Sequence, residues 1–576
     1  MGSYEAARKL VGTTAFHVAS LGALWLVMVV LVDPRGNFPL DDDWSYGRSV
    51  QALVEDHHFY LTGFTAMPLV AQVIWGALFS LPAGFSFTAL RLSTLVLGLA
   101  GILAIYFLLR EARASRGVAF LGALGVACNP LYCLLAFTFM TDVPFVAVSS
   151  LALLFLVRGA SRGRDRDLLL GVLFGGTALL IRQPALLIFV AFGVAYLATR
   201  GVSRRSVVTA VAPAAVAGAG LLAYRRLLEA TIGVPVLYGR PYDPLNEAAA
   251  SAFDAAGQFL DRIGVAFVYL GLFLLPLVIV VSTRRLLLLT APLVGAVMVG
   301  LVWADKLMPL SGNIVYDEVG LGPPLLRDVY ILGLPHLERA PREVWIIVTA
   351  AGVAGALLIV EQLALTILGL ARRLSLAPVL GLVGLALYLV SIAIAGYLDR
   401  YLVFALPFAL LCVAAPARGR WRTVAAGVVL AVYAAVSVAG THDYLSWNRA
   451  RWSALDDLTA RGVSYREIDG GFEFNGWYGY DPSYRETPGK SGWWVYGDRY
   501  VLSFGPLPGF EVMARYRYRR WLPGRDTILV LRRVDTQEGA QALARRLERE
   551  LRLGASPRTF AQRAAPVRVV EQAADR

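Results

Sequence analysis

Long apolar segments alternate with short polar stretches along most of the chain. A helix that crosses a bilayer needs about 20 predominantly apolar residues. This pattern predicts a polytopic α-helical membrane protein. Fourteen candidate segments lie at 14–32, 66–82, 88–109, 117–135, 143–158, 168–182, 184–199, 205–224, 263–281, 286–303, 343–369, 376–396, 401–415 and 422–440.

The arginines between these segments indicate which segments cross the membrane. Short cytoplasmic loops are enriched in Arg and Lys, and the clusters share the side of the N-terminus only if one early segment does not cross. Segment 66–82 is short and carries Gln72 and Trp75, which suits a helix lying along the interface. We therefore predict thirteen spans, with the first loop (33–87) and the C-terminal region outside. The clusters are Arg110/Arg113/Arg116, Arg158/Arg162/Arg164/Arg166, Arg200/Arg204/Arg205, Arg284/Arg285, Arg372/Arg373 and Arg418/Arg420/Arg422.

The chain changes character after residue 440. The stretches "WWVYGDRYVLSF" and "DTILVLRRV" predict strands, whereas "TQEGAQALARRLERELRLG" predicts a charged helix. We expect a transmembrane domain over 1–440 and a small extracytoplasmic α+β domain over 441–555. The last stretch, 556–576, is expected to be disordered.

Composition agrees with a membrane protein and narrows the function. The 576 residues are 57% hydrophobic and 16% charged, with a mean hydropathy of +0.60. The net charge of +13 comes from arginines between apolar segments and not from a basic patch with interleaved aromatics, so we expect no nucleic-acid partner. Cys128, Cys133 and Cys412 lie within apolar segments, which favours neither a disulfide framework nor a metal site.

Acidic residues collect where two segments meet the outer face. Asp41, Asp42 and Asp43 follow the first span, and Asp142 begins another in "FTFMTDVPF". A helix cap explains one acid but not three adjacent ones, and Asp142 alone would be an ordinary helix start. Together they are candidates for function, because ionisable groups at membrane depth are costly.

Basic residues are expected at the same level. Arg182 in "LLIRQPALL" and Arg400 in "YLDRYLVFALPF" either extend to the lipid headgroups or bind a substrate phosphate, which arginine holds in a bidentate fork. His57 and His58 could join the aspartates around a divalent cation. Adjacent histidines point in different directions, so a solvated loop is the alternative.

Several motifs in this order resemble the GT-C superfamily of integral-membrane glycosyltransferases, in the branch of the lipid A aminoarabinose and protein O-mannosyltransferases. The family's Asp-Glu-x-x-Tyr element is matched by "DDWSY" (42–46), with Asp in the second place. An Arg-Leu pair (Arg91, Leu92), "TDVP", "RQP" and "RYLVFALP" also resemble family elements. The Lys-Pro-Pro element of the aminoarabinose enzymes is replaced by "TAMPL", which leaves the donor sugar open.

The resemblance implies an inverting glycosyltransferase that moves a sugar from a polyprenyl-phosphate donor to an acceptor hydroxyl. It also implies a cytoplasmic (inner) membrane location with the active site outside. The acceptor is left open among a lipid, a glycan and a protein, and a divalent cation is left open as a cofactor. The implied catalytic residues are Asp42 (the first choice for the base), Asp43 and Asp142; the donor-phosphate ligands are Arg182, Arg400 and Arg48; the supporting residues are Asp41, Tyr46, Gln183 and Tyr401.

Three other functions are compatible with such a chain. A lipid-linked-sugar flippase or other secondary transporter would place ionisable residues and broken helices near mid-membrane. A polymerase or ligase with a lipid-diphosphate donor would share the lipid chemistry but does not require the Asp-Asp-x-x-Tyr element. A non-catalytic envelope scaffold would require none of these charges.

Overall fold

The computed structural model describes residues 13–239, 252–310, 312–318, 320–486 and 491–534. The charged helix predicted over 536–554 and the tail 556–576 lie outside these residues. The α-helices are α1 (Thr14–Val32), α2 (Asp43–Glu55), α3 (Val70–Ser80), α4 (Phe87–Glu111), α5 (Arg116–Ala127), α6 (Pro130–Ala136), α7 (Asp142–Arg162), α8 (Asp165–Leu179), α9 (Leu186–Arg200), α10 (Arg204–Ala230), α11 (Val236–Gly239), α12 (Ala252–Val281), α13 (Arg284–Trp303), α14 (Arg342–Arg372), α15 (Leu376–Ala395), α16 (Leu406–Val413), α17 (Arg420–Ala460) and α18 (Phe472–Gly479).

The helical membrane fold is confirmed, but the count of thirteen spans is not. Among the described residues, ten helices are long and apolar enough to cross a membrane, or up to eleven if the bent pair α5–α6 is one span. The two other predicted spans correspond to α8, which has 15 residues, and to a 3₁₀ helix (Asp399–Ala405) followed by the 8-residue α16. Helix α3 in the segment assigned to the interface has only 11 residues.

The bend between α5 and α6 has a local cause. Asn129 separates the two helices, and its side-chain oxygen accepts hydrogen bonds from the amides of Leu131 (3.0 Å) and Tyr132 (3.1 Å). Pro130 then occupies the first turn of α6, where its missing N–H costs nothing. The chain therefore stops one helix and starts the next at an angle of 60°.

The arginine-rich turns contact one another at one end of the bundle. Arg162 at the end of α7 pairs with Glu111 at the end of α4, and Arg205 pairs with Asp165 at 2.8 Å. Asp142 lies at the opposite end of α7. The three adjacent aspartates Asp41, Asp42 and Asp43, called the first-loop acids below, lie close to Asp142 in the candidate site. They are therefore at the end of the bundle opposite these arginine clusters.

A four-stranded sheet follows the last long helix. Strands β1 (Ile468–Asp469), β2 (Tyr500–Ser503), β3 (Phe510–Arg517) and β4 (Thr527–Arg533) are ordered β1-β2-β4-β3, with only the β1–β2 pair parallel. Helix α17 runs without a break past residue 441 towards the sheet, and its Asp443 carboxylate accepts the amides of Trp521 (2.8 Å) and Leu522 (2.9 Å).

The C-terminal region packs on the first loop. Trp44, which has no exposed surface, lies in an aromatic cluster with Phe64, Phe472, Tyr480 and Trp494. Aromatic pairs add specific geometry to the burial of large apolar surfaces. The start of α2 is therefore packed against Phe472, Tyr480 and Trp494, which lie more than four hundred positions later in the chain.

Candidate active site

The three adjacent aspartates occupy three different environments. Asp42 is the residue before the first turn of α2, but its side chain makes no cap hydrogen bond there. Asp41 adopts a left-handed backbone conformation with φ 55°, which is uncommon for residues other than glycine. The cap alternative therefore does not account for Asp42.

Asp43 is engaged with the backbone. Its side chain is fully buried, and its two oxygens accept the amides of Leu40 (2.5 Å) and Phe139 (3.0 Å). The second bond joins the first loop to the turn before α7. This geometry suits a structural link better than proton transfer to a substrate.

Arg400 bridges the other two aspartates. It donates to Asp41 Oδ2 at 2.8 Å and to Asp42 Oδ2 at 3.0 Å. The Asp42 side chain keeps 17% of its surface exposed, against 8% for Asp41. Asp42 is therefore the most accessible of the three adjacent aspartates, as its choice as the base requires.

Asp142 and Arg182 form a second buried pair. Arg182 Nη1 lies 2.6 Å from Asp142 Oδ1, and its guanidinium lies 4.9 Å from the centre of the Tyr401 ring. Asp142 Oδ2 is buried without a hydrogen-bond partner among the described residues. A buried acceptor of this kind is costly unless a water or ligand satisfies it.

A cavity of about 100 Å³ is lined by both arginines and by Asp142, whereas Asp41 and Asp42 lie outside its lining. The polar residues Asp142, Arg182, Ser391, Arg400 and Tyr401 line it, and the remaining wall is mainly apolar and aromatic. Arginines from two helix starts and an apolar wall suit a ligand with an anionic head and a lipid tail. The apolar and aromatic lining comprises Phe145, Val146, Pro184, Tyr388, Ile392, Ala395 and Phe404.

The other predicted residues are placed as follows. Arg48 donates to the Trp477 carbonyl and stacks over that indole at 4.3 Å, away from the cavity lining. Gln183 donates to the carbonyl of Ala66 at 3.1 Å. Tyr46 is buried beside both ion pairs, and burial raises the pKa of its hydroxyl, with the nearby Asp42 carboxylate adding to the effect.

Burial raises the pKa of two acids of the first loop. Burial raises the pKa of Asp41 despite the opposing Arg400, and the Asp42 charge adds to the shift. Burial also raises the pKa of Asp43 to about 7, against the charge of Arg91 and the two amide donors. Charge in this loop is therefore expensive unless a cation or a donor faces it.

The structure adds two carboxylates that the sequence pattern did not single out. Asp399 is buried and accepts the amides of Arg400 (2.7 Å), Val315 (2.9 Å) and Ile314 (3.1 Å), which ties the loop after α13 to the site. Glu473 of α18 accepts the Asp41 amide at 3.1 Å. No local motif marks either residue, since apart from Arg400 the partners named here are distant in sequence.

A metal centre is not evident in the described part of the chain. No group of three or more His, Cys, Asp or Glu side chains there is arranged to hold an ion. His57 and His58 are both exposed, at the end of α2. The cation left open by the sequence has no built site among these residues.

One protein family matches part of the chain. Residues 56–224 match the family described as dolichyl-phosphate-mannose-protein mannosyltransferase. The resemblance to GT-C membrane glycosyltransferases is confirmed. The matched region contains Asp142 and Arg182 but begins after the first-loop acids. No curated protein matches the chain.

Two solved structures of other proteins also resemble this chain. The oligosaccharyltransferase AglB from Archaeoglobus fulgidus, in complex with an inhibitory peptide and a dolichol-phosphate, is 16% identical with a TM-score of 0.41, covering 75% of this chain and 56% of that one. ArnT from Cupriavidus metallidurans, bound to undecaprenyl phosphate, is 14% identical with a TM-score of 0.36, covering 81% and 84%. This chain thus spans little more than half of AglB, and both likenesses are distant.

Proposed function

We propose that the protein transfers a sugar from a polyprenyl-phosphate donor to an acceptor hydroxyl at the outer face of the cytoplasmic membrane. One observation carries the proposal: two arginines, each paired with aspartates, line one cavity at a single end of the bundle. A lipid phosphate fits this arrangement, because its tail can follow the apolar wall while its oxygens bind guanidinium groups.

The donor phosphate would exchange partners with the aspartates. When phosphate oxygens bind Arg182 and Arg400, the carboxylates of Asp142 and Asp42 lose part of their ion pairing. An uncompensated carboxylate is a better proton acceptor than a paired one. Donor binding therefore prepares Asp42 to act as the base only when the substrate is present.

The reaction would proceed with inversion. The acceptor O–H proton passes to the Asp42 carboxylate while the acceptor oxygen forms a bond to the anomeric carbon. The bond from that carbon to the phosphate oxygen breaks, and Arg182 and Arg400 stabilise the charge on the polyprenyl phosphate that leaves. Carbohydrate, lipid and protein hydroxyls are all chemically competent acceptors.

A lipid-linked-sugar flippase is the main alternative function. It expects ionisable residues near the middle of the membrane. Both ion pairs instead lie where helices begin, at Asp142 and at the 3₁₀ helix that starts at Asp399. This placement favours chemistry at the membrane surface over transport through it.

Reconstitution of the purified protein tests the proposal. In proteoliposomes with a panel of polyprenyl-phosphate sugars, we expect release of polyprenyl phosphate that depends on an added acceptor extract. Mass spectrometry of envelope glycans with and without the gene would then identify the product. Movement of the intact donor between leaflets, without release of polyprenyl phosphate, would favour the flippase instead.

A further inference from the structure

The backbone of Asp41 contacts a buried ion pair in the C-terminal region. Glu473 and Arg451 have no exposed side-chain surface, and their charged atoms lie 2.7 Å apart. The other carboxylate oxygen of Glu473 accepts the Asp41 amide at 3.1 Å. Both oxygens of Glu473 are therefore committed, one to each side of the junction between the C-terminal region and the first loop.

The bond to Asp41 acts at a point of backbone strain. Asp41 has a φ of 55°, in a region that disfavours residues with a Cβ atom. Its amide direction sets where its carboxylate and that of Asp42 point, and both reach Arg400. By accepting this amide, Glu473 therefore fixes the relative positions of the Asp41 and Asp42 carboxylates. Both of these bind the guanidinium of Arg400.

The elements that carry Glu473 are themselves held closely. A Cβ atom added at Gly476 would lie 2.5 Å from the Trp44 ring, so α18 packs directly on the start of α2. Arg451 also donates to Asn448 Oδ1 at 3.2 Å and lies between the rings of Trp447 (5.6 Å) and Trp452 (5.8 Å). The ion pair cannot shift without moving these aromatic contacts.

Stability alone is a weak reason for this pair. Replacing a buried ion pair by apolar residues of similar size is often neutral or stabilising. The Glu473 carboxylate also accepts a hydrogen bond from the amide of Asp41 in the candidate site, which gives it a role besides stability. We infer that Glu473 is a positioning residue that orients the Asp41–Asp42 acids through the Asp41 amide, an inference that rests on the proposed glycosyl transfer.

Two double variants of the full-length protein isolate this hydrogen bond. Glu473→Gln/Arg451→Met keeps an oxygen able to accept from Asp41, whereas Glu473→Met/Arg451→Met has none, and neither leaves a buried charge unpaired. We expect the first to retain most transfer and the second to lose roughly ten- to a hundred-fold in kcat through misplacement of the acids. The KM for the donor should change less than kcat, because neither phosphate-binding arginine is replaced and Arg182 lies on a separate ion pair.

A buried pair elsewhere provides the control. Asp498 of the C-terminal region pairs with Arg327 at 2.8 Å. The variant Asp498→Asn should lower Tm but leave kcat unchanged. Equal kcat in the two double variants would overturn the inference, as would losses that follow Tm alone.

A readout independent of activity separates this inference from the proposed function. Hydrogen exchange of the Asp41 amide should be slow in the wild type and in Glu473→Gln/Arg451→Met, and faster in Glu473→Met/Arg451→Met. If the wild type transfers no sugar, the proposed function fails and with it the catalytic consequence, while the exchange still reports whether Glu473 holds Asp41. Equal exchange in the two double variants would remove the positioning role itself.

Discussion

Neighbouring carboxylates of one sequence motif can do different work because their surroundings differ. The Asp42 side chain is partly exposed and pairs with Arg400, whereas both carboxylate oxygens of Asp43 accept hydrogen bonds from backbone amides. Asp142 leaves one buried oxygen without a described partner. A base needs access to its substrate, and of the three adjacent aspartates only Asp42 combines an exposed edge with a pairing arginine that a phosphate could bind instead.

We therefore predict that Asp42→Asn retains donor binding but loses on the order of a hundred-fold to ten-thousand-fold in transfer rate, since the amide cannot accept a proton. Transfer and binding of a polyprenyl-phosphate sugar are measured separately for Asn variants at positions 41, 42, 43 and 142. Full activity in Asp42→Asn would refute the assignment. If another Asn variant is the inactive one, the base is at that position.

Asp43 carries a pH dependence of its own. The pKa of its carboxyl is about 7 in the folded protein and ordinarily near 3.8. At a pH between these two values, the folded chain keeps a proton on Asp43 that the unfolded chain has lost. Its contribution to the free energy of unfolding therefore falls as pH rises from about 4 to 7 and is constant above. Asp43→Asn removes this dependence.

The measurement compares Tm of the wild type and Asp43→Asn in detergent at several pH values from 5 to 8. We expect the advantage of the wild type to shrink as pH rises. A difference in Tm that is independent of pH would show that the carboxyl is already ionised when folded, held by the amides of Leu40 and Phe139.

Spanning helices pack most closely where glycine removes the side chain. A Cβ atom at Gly271 of α12 would collide with the backbone at Gly352 and Ala356 of α14, and one at Gly355 with the backbone of Gly271. Small residues let helix backbones approach inside a membrane. These contacts join α12, which leads into the arginine-rich turn before α13, to the long helix α14.

Gly271→Ala should therefore lower stability by about 1–3 kcal/mol, because backbone atoms cannot yield as a flexible side chain does. The control is Gly295→Ala in α13, where the added Cβ meets nothing within 4 Å. There the gain in helix propensity should leave Tm unchanged or slightly higher. Thermal unfolding in one detergent compares both, and equal effects would mean that the close approach of α12 and α14 is not tight in solution.

Helices were predicted well where a long apolar stretch determines them. They were predicted poorly where contacts with residues distant in sequence determine the local structure. The runs that became α4, α7 and α14 are visible as continuous apolar stretches. The 3₁₀ turn at Asp399 was not visible, because it depends on amides of the loop after α13. The contact of Asp41 with Glu473 joins residues 432 positions apart, and no pattern in one sequence reports such a pairing.

The candidate site divides in the same way. The pairing of Asp142 with Arg182 follows from two charges at adjacent helix ends, so their proximity could be anticipated from the predicted topology. Arg400 was predicted to bind the donor phosphate close to the first-loop acids, but its direct bridge to Asp41 and Asp42 was not predicted. The position of Arg48 over Trp477 was not expected, since the indole belongs to the C-terminal region.

The orientation of the whole molecule follows from its two ends. Arg162 and Arg205 are paired with acids at one end of the bundle, and Arg422 bonds the Ser282 carbonyl where α12 meets α13. The candidate site lies at the other end of α7. The positive-inside rule predicts that the arginine-rich end is cytoplasmic, which would place the site and the C-terminal region outside.

Reporter fusions test this orientation. A reporter that functions only outside the cytoplasm should be active when fused after residue 576 and inactive when fused to a chain ending at Arg373, within the arginine-rich turn after α14. A cytoplasmic reporter should give the reverse pattern. The full-length fusion keeps the contacts of Glu473 and Trp44, so its result does not depend on a truncated C-terminal region folding. Cytoplasmic activity after residue 576 would move the aspartates to the side where nucleotide sugars are made, and a lipid-linked donor at the outer face would no longer be required to explain them.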